Sequence, residues 1–184
     1  VGPRVIVQTS DPGELVILSA ADGTVHARVP TSSESWPRSP VPFDDMRLLV
    51  IPDAQHVQLV DLQSGRVEWN YRVAGASPHQ EPDVLVHGGA LVVFFGGDSL
   101  VRIDPASGQP LWKSAVALGP QLLPEPRRLA AIDSQAVYCA SAGIARAYRL
   151  QDGQPHWKRD VALGGADSLW RLARMGDHLT AWPG

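Results

Sequence analysis

The sequence predicts an all-β protein, a β-propeller of four-stranded antiparallel blades with about four blades present. Three observations predict it. Glycine turns recur in a near-even ladder, turn dipeptides form a second ladder out of phase with the first, and no segment keeps a helical period. The first ladder reads Ser19-Ala-Ala-Asp-Gly23, Asp61-Leu-Gln-Ser-Gly65, Asp104-Pro-Ala-Ser-Gly108 and Arg149-Leu-Gln-Asp-Gly153. Its glycines step by 42, 43 and 45 residues, from 23 to 65 to 108 to 153. At the fourth place after each glycine stand Ala27, Trp69, Trp112 and Trp157. The second ladder, Asp44-Asp45, Gly88-Gly89, Asp133-Ser134 and Gly176-Asp177, is spaced by 44, 45 and 43 residues. A third set of breaks, Asp11-Pro12-Gly13, Pro52-Asp53, Gly96-Gly97-Asp98 and Ala142-Gly143, completes three turns per repeat. Three turns cut each repeat into four short strands, the meander of a propeller blade.

The elements follow in order. Inner strands are predicted at Pro40–Phe43, Asp83–His87, Arg128–Ile132 and Leu169–Arg174. Second strands are the apolar runs Met46–Ile51, Ala90–Phe95, Ala136–Ala140 and His178–Trp182, with Val5–Thr9 as the counterpart near the start. Third strands are Leu15–Ser19, Val57–Leu62, Leu100–Asp104 and Ala145–Leu150, and outer strands begin near Val25, Val67, Pro110 and Pro155. The blades then span about 4–29, 40–73, 83–117 and 128–162, with the start of a fifth at about 169–184. The whole of 1–184 is one propeller segment on this reading. Blade 1 lacks an inner strand, so a closed four-bladed ring completed by Leu169–Arg174 is the alternative, although His178–Trp182 would then duplicate a strand.

The repeated residues have physical roles. A glycine in the Asp-x-x-x-Gly turn suits φ > 0, and the aspartate can accept N–H bonds within the turn. A tryptophan opening the outermost strand can cover the edge of a neighbouring blade, burying about 150–250 Å². Gly23, Gly65, Gly108, Gly153, Trp69, Trp112 and Trp157 are therefore read as structural repeat residues, with the three tryptophans buried in equivalent places.

The Asp-x-x-x-Gly-x-x-x-Trp ladder, preceded by Leu59-Val-Asp-Leu62 or Val101-Arg-Ile-Asp104, resembles the tryptophan-docking, pyrroloquinoline-quinone-like repeats. Those repeats build the propellers of quinoprotein dehydrogenases and of non-enzymatic relatives, including the propeller lipoprotein of the outer-membrane barrel-assembly machinery. The WD-type repeat fits less well, because its Gly-His and Trp-Asp signatures are missing at the required places. The resemblance implies a ring of seven or eight blades, of which this chain would be a partial propeller or an excerpt. It also favours an exported, periplasmic or cell-envelope location. For an enzyme of this kind it implies a quinone held between a tryptophan and a vicinal disulfide, with a calcium ion and an aspartate base. Cys139 is the single cysteine and has no adjacent partner, so half of that sandwich is missing.

Bulk properties exclude other classes. The 184 residues are 44% hydrophobic and 19% charged, enough apolar content for a real core. A net charge of −3 gives no basic footprint for nucleic acid. No apolar run approaches the roughly 18–20 residues of a membrane span. His26, His56, His79, His87, His156 and His178 show no metal-ligand spacing. Gly96-Gly97-Asp98 precedes a strand and reads as a hairpin, not a phosphate loop; Ser10 and Ser141 lie in no nucleophile elbow. Trp36, Trp170 and Trp182 fall off the tryptophan register. Trp36, beside Arg38 in the Pro/Ser-rich stretch Pro30–Pro42, is the candidate partner contact, and Trp170 sits on an inner strand.

The function these features favour is a non-catalytic propeller module that scaffolds an unidentified protein partner within a larger protein. No catalytic, cofactor or metal residue is assigned. A quinone- and calcium-dependent dehydrogenase propeller and the sensor domain of a membrane-anchored signalling protein are the competing functions.

Overall fold

The computed structural model describes residues 3–10, 13–31, 40–53, 55–72, 82–95, 99–115, 130–141, 143–164, 170–175 and 178–183. Every regular element among them is a β-strand, and the strands form five antiparallel sheets, each built from neighbours in sequence. The chain divides into two compact units, Val1–Pro82 with Pro105–Gly108, and Asp83–Asp104 with Gln109–Gly184.

The first unit holds two sheets. β1 (Arg4–Ser10), β2 (Gly13–Ser19) and β3 (Val25–Pro30) form a three-stranded meander. β4 (Val41–Pro42), β5 (Arg47–Asp53), β6 (His56–Asp61) and β7 (Val67–Arg72) form a four-stranded one. The period-two alternation of β2 and β6 aims Leu15, Ile17 and Val60 at Val29, Leu48, Val50 and Leu62, with Ile6 and Ala27 packed against them. This dry layer is the core of the unit.

The second unit holds three sheets. β8 (Asp83–His87), β9 (Ala90–Phe95), β10 (Ser99–Ile103) and β11 (Pro110–Ala115) make one four-stranded meander. β12 (Ala130–Ile132), β13 (Ala136–Ser141), β14 (Ile144–Arg149) and β15 (Val161–Ala162) make the next, and β16 (Trp170–Met175) pairs with β17 (His178–Pro183). β9 is buried along its whole length, as a strand covered on both faces must be. Val92 and Phe94 from β9 meet Val137, Cys139, Tyr148 and Leu150 in the core of this unit.

The sequence expectation and the structure differ most at an inner strand, at the later third strands and at the last outer strand. The inner strand expected over Pro40–Phe43 shrinks to Val41–Pro42, because Pro42 has no N–H and the Phe43 N–H closes the hairpin onto Arg47 O at 3.0 Å. The later third strands start and stop one residue earlier, since the N–H groups of Leu62 and Leu150 turn back to Met46 O and Gln135 O. The outer strand expected from Pro155 is a single bridge to Tyr148, and the ladder resumes only at Val161 opposite Ala145. Six steps of chain there span three on β14, so the intervening residues bulge out of the sheet. Residues 128, 129 and 169 of the expected inner strands, and the turns at 11–12, 96–98, 142 and 176–177, lie outside the described residues.

Candidate functional site

The four glycine turns share one construction. The N–H groups of Ser19, Asp61, Asp104 and Arg149 donate to the carbonyls of Thr24, Arg66, Gln109 and Gln154 at 2.7–3.0 Å, and the four glycines have φ between 68° and 73°. In the second repeat Asp61 Oδ1 accepts from both Ser64 N and Ser64 Oγ at 2.6 Å. Where the first position is Ser19 or Arg149, the aspartate has moved beside the glycine. Asp22 Oδ1 accepts from Thr24 N at 3.0 Å, and Asp152 Oδ1 from Gln154 N at 3.1 Å. The turn thus keeps one carboxylate acceptor at either of two places.

Each turn from the second repeat on receives the docking residue of the repeat before it. A Cβ added at Gly108 would fall 2.6 Å from Trp69 Cγ; one at Gly153 would fall 2.7 Å from Trp112 Cε3 and Ser114 Oγ; one at Gly65 would overlap Ala27 Cβ. These turns need glycine twice over, for the positive φ and for the side chain laid on it. The indole N–H groups find matching acceptors, Trp69 Nε1 on Pro105 O and Trp112 Nε1 on Leu150 O, both at 2.9 Å. Both acceptors are the second residue of the receiving turn. A bulge at the same place in three sheets aims the docking residue, pairing Ala27 with Ile17, Trp69 with Leu59 and Trp112 with Arg102.

Trp69 is buried and Trp112 half-buried. Trp157 departs from the pattern: it lies in the bulged segment before β15, half-buried, with its ring 5.7 Å from that of Tyr138 in its own sheet. Gly23 also departs from it, because no described atom lies within 4 Å of a Cβ built there. Trp36 and Arg38 lie outside the described residues, as does His79; Trp170 is placed only by its backbone in β16.

A crevice of about 330 Å³ in the second unit is lined by His87, Gly88, Gly89, Ala90, Arg102, Ser134 and Leu150. Its one charged side chain is Arg102, on β10, whose Nη1 donates to Leu150 O at 2.8 Å while its buried Nε has no partner. The carbonyl of Leu150 therefore accepts from both Arg102 and Trp112. Sequence reasoning missed Arg102. The signal was a charged residue in a register that carries Ile17, Leu59 and Ala147 in the other repeats.

Two carboxylates of the second turn ladder, Asp44 and Asp133, each stand three residues before the second strand of their sheet. Asp133 is buried and accepts from Gln135 N, Ala136 N and the Tyr138 hydroxyl at 2.7–2.9 Å. Arg47 beside Asp44 holds that carboxyl below its ordinary value. Burial acts to raise the Asp53 carboxyl, but the N–H of Gln55 and the ring of His56, 2.7 Å away, outweigh it and bring it below the usual value. This carboxylate–imidazole pair clips the β5–β6 hairpin.

Burial pushes the Cys139 thiol up to about 12, and only 1% of the residue is exposed. A thiol in that state is neither a nucleophile nor a metal ligand. No group of three or more His, Cys, Asp or Glu among the described residues is placed to hold a metal ion. The residues present do not fit the quinone sandwich, which needs two neighbouring cysteines at the surface of the site.

No curated protein sequence matches this one. Solved structures do. BamB from Moraxella catarrhalis superposes with a TM-score of 0.67 at 16% identity, covering 97% of this chain and 57% of its own. A BBS1N structure, solved in complex with ARL6DN, gives 0.62 at 15% identity, covering 97% and 54%. A europium-containing methanol dehydrogenase gives 0.63 at 11% identity, covering 95% and 44%. At such identities the likeness is one of fold, and this chain spans about half the length of those proteins. The sequence profile described as "Outer membrane protein assembly factor BamB" matches residues 11–179, and the chain therefore belongs to that family of pyrroloquinoline-quinone-like β-propellers.

Proposed function

We propose that this chain is a non-catalytic propeller module that scaffolds a protein partner, and that its sheets are successive blades of one propeller segment, 1–184. The observation that carries this reading is the match of residues 11–179 to a family described as an assembly factor. The geometry supports it. Trp69, Trp112, Gly108 and Gly153 join one repeat to the next, so the glycine–tryptophan ladder serves architecture. The outer strands β3, β7 and β11 each end a sheet, leaving ladder edges on which Val25, Val67 and Leu111 are exposed. An extended segment of a partner suits such edges, taking main-chain hydrogen bonds and apolar contacts together. Trp36 and Arg38 are proposed as partner contacts from the loop between the first two repeats. The family description supports an exported location at the cell envelope. Among the described residues no helix is long and apolar enough to cross a membrane.

The second reading, part of a quinone-dependent dehydrogenase, is favoured by the likeness to methanol dehydrogenase. Titration of the chain with pyrroloquinoline quinone and calcium separates the two. The scaffold predicts no shift of quinone absorbance and no alcohol- or sugar-dependent dye reduction. Saturable quinone binding with dye reduction would overturn it.

A further inference from the structure

We infer that the crevice beside Arg102 in the second unit takes a carboxylate presented by an extended segment of a partner protein. The inference rests on the scaffold reading and names the chemistry that the module holds. The crevice offers hydrogen-bond donors with no negative charge to receive them. Arg102 brings a guanidinium, Ser134 a hydroxyl, and His87 a ring N–H in either neutral tautomer. Gly88 and Gly89 add main-chain N–H groups, because the β8–β9 ladder ends at His87 and Ala90 and leaves both turn residues outside it. No aspartate or glutamate is among the described residues that line the space. The acidic neighbours in sequence are engaged in their own turns. Asp133 accepts from Gln135, Ala136 and Tyr138, and Asp152 pairs with Arg149 at 2.8 Å.

Arg102 shows what the site lacks. Nη1 donates to Leu150 O at 2.8 Å, the buried Nε has no partner, and none of the ion pairs among the described residues includes this side chain. A half-buried cation without a counter-charge is costly. A carboxylate seated in the crevice supplies that charge, and its paired oxygens suit a guanidinium. The volume, about 330 Å³, admits a side chain or a chain end and not a folded surface. Both sheets that frame the crevice, β8–β11 and β12–β15, have all four of their strands.

The architecture does not ask for this arginine. Ile17 and Leu59 hold the same register, opposite Ala27 and Trp69 as Arg102 is opposite Trp112. Leu150 O already has the Trp112 indole N–H as a donor at 2.9 Å. The first unit supplies the contrast. There the turn that corresponds to Gly88-Gly89 is Asp44-Asp45, and Leu59 stands in the register of Arg102. Such a turn repels an anion, whereas two glycines and an arginine attract one. The donor set therefore belongs to one repeat and not to the fold.

The Trp112 indole N–H shares Leu150 O with Arg102 and so reports on the crevice. In proton–nitrogen correlation spectra of the 184-residue chain, its resonance is the one lost in Trp112→Phe. The probes are the peptide acetyl-Gly-Ser-Glu-Ser-Gly-amide, its glutamine counterpart, the glutamine peptide with a free carboxy terminus, and inorganic phosphate. A carboxylate peptide is expected to shift the resonance saturably, and the glutamine amide to leave it in place. A shift from the glutamate amide assigns the crevice to an acidic side chain; a shift from the free-terminus peptide alone assigns it to a chain end. Arg102→Leu is expected to weaken binding at least about tenfold while its urea midpoint is unchanged or raised, so the loss is not one of folding. The inference is overturned if neither carboxylate peptide shifts the resonance, if the glutamine amide shifts it as much, or if Arg102→Leu binds as well as wild type. Phosphate that binds more tightly than both peptides overturns it too. The quinone titration tests the scaffold reading separately, through dye reduction.

Discussion

At the residue scale the glycine turns separate two demands that one ladder of glycines conceals. Gly23 and Gly153 share a φ near 70°, but only Gly153 lies under a ring. In dilute solution Gly23→Ala should cost about 1–2 kcal/mol, the strain of a side chain in left-handed backbone. Gly153→Ala should cost about 2–4 kcal/mol, because the methyl group also displaces Trp112. Urea unfolding of the two variants measures the difference. Trp112 divides in the same way: Trp112→Phe keeps a ring on Gly153 and loses the bond to Leu150, about 1 kcal/mol, whereas Trp112→Ala should cost about 3–5 kcal/mol. Arg102 is the opposite case. Its Nε is buried without a partner, and Leu150 O keeps Trp112 as donor if the guanidinium is removed. Arg102→Leu restores the residue type of Leu59 and should be neutral or stabilising by up to about 1 kcal/mol.

At the element scale carboxylates close the β4–β5, β5–β6 and β6–β7 hairpins, and this makes stability depend on acid. Hydrogen bonds from Arg47 and Ser64 lower Asp44 and Asp61 below the ordinary value of 3.8, and those from Gln55 and His56 do so for Asp53 against its burial. A carboxyl lowered in the folded state contributes fully above its unfolded value and loses that contribution as pH falls through the folded one. The urea midpoint should therefore be level near neutrality and drop below about pH 4, and Asp61→Asn should blunt the drop. A midpoint that does not change down to pH 3 would contradict this. The ladder of turns was legible from the sequence because each turn states its own requirement in four or five residues. The break after Pro155 was not, since Gln154-Pro155-His156-Trp157 repeats the Gln-Pro-Leu-Trp of a regular outer strand.

At the scale of the whole molecule Cys139 reports on the opening of the second unit. Its thiol is pushed up to about 12 and is enclosed with Val92, Phe94 and Tyr148. Thiol reagents should label the native chain at least about a thousandfold more slowly than the urea-unfolded one, at the rate of sub-global opening. Fast labelling of the folded chain would place Cys139 at the surface and break the register of β13.

The sequence by itself determined the repeat, the all-β class, the family and most strand positions, because turn chemistry and period-two apolar runs act within a few residues of each other. It also marked Gly108 and Gly153 as special, through spacing alone. Only the tertiary structure decided which docking residues are engaged. Whether a tryptophan covers a glycine 39 or 41 residues away depends on the bulge that aims it and on the carbonyl that receives it, as Trp69 and Trp112 show. The half-buried position of Arg102 in an apolar register likewise depends on neighbours brought together by packing, and no local pattern encodes it.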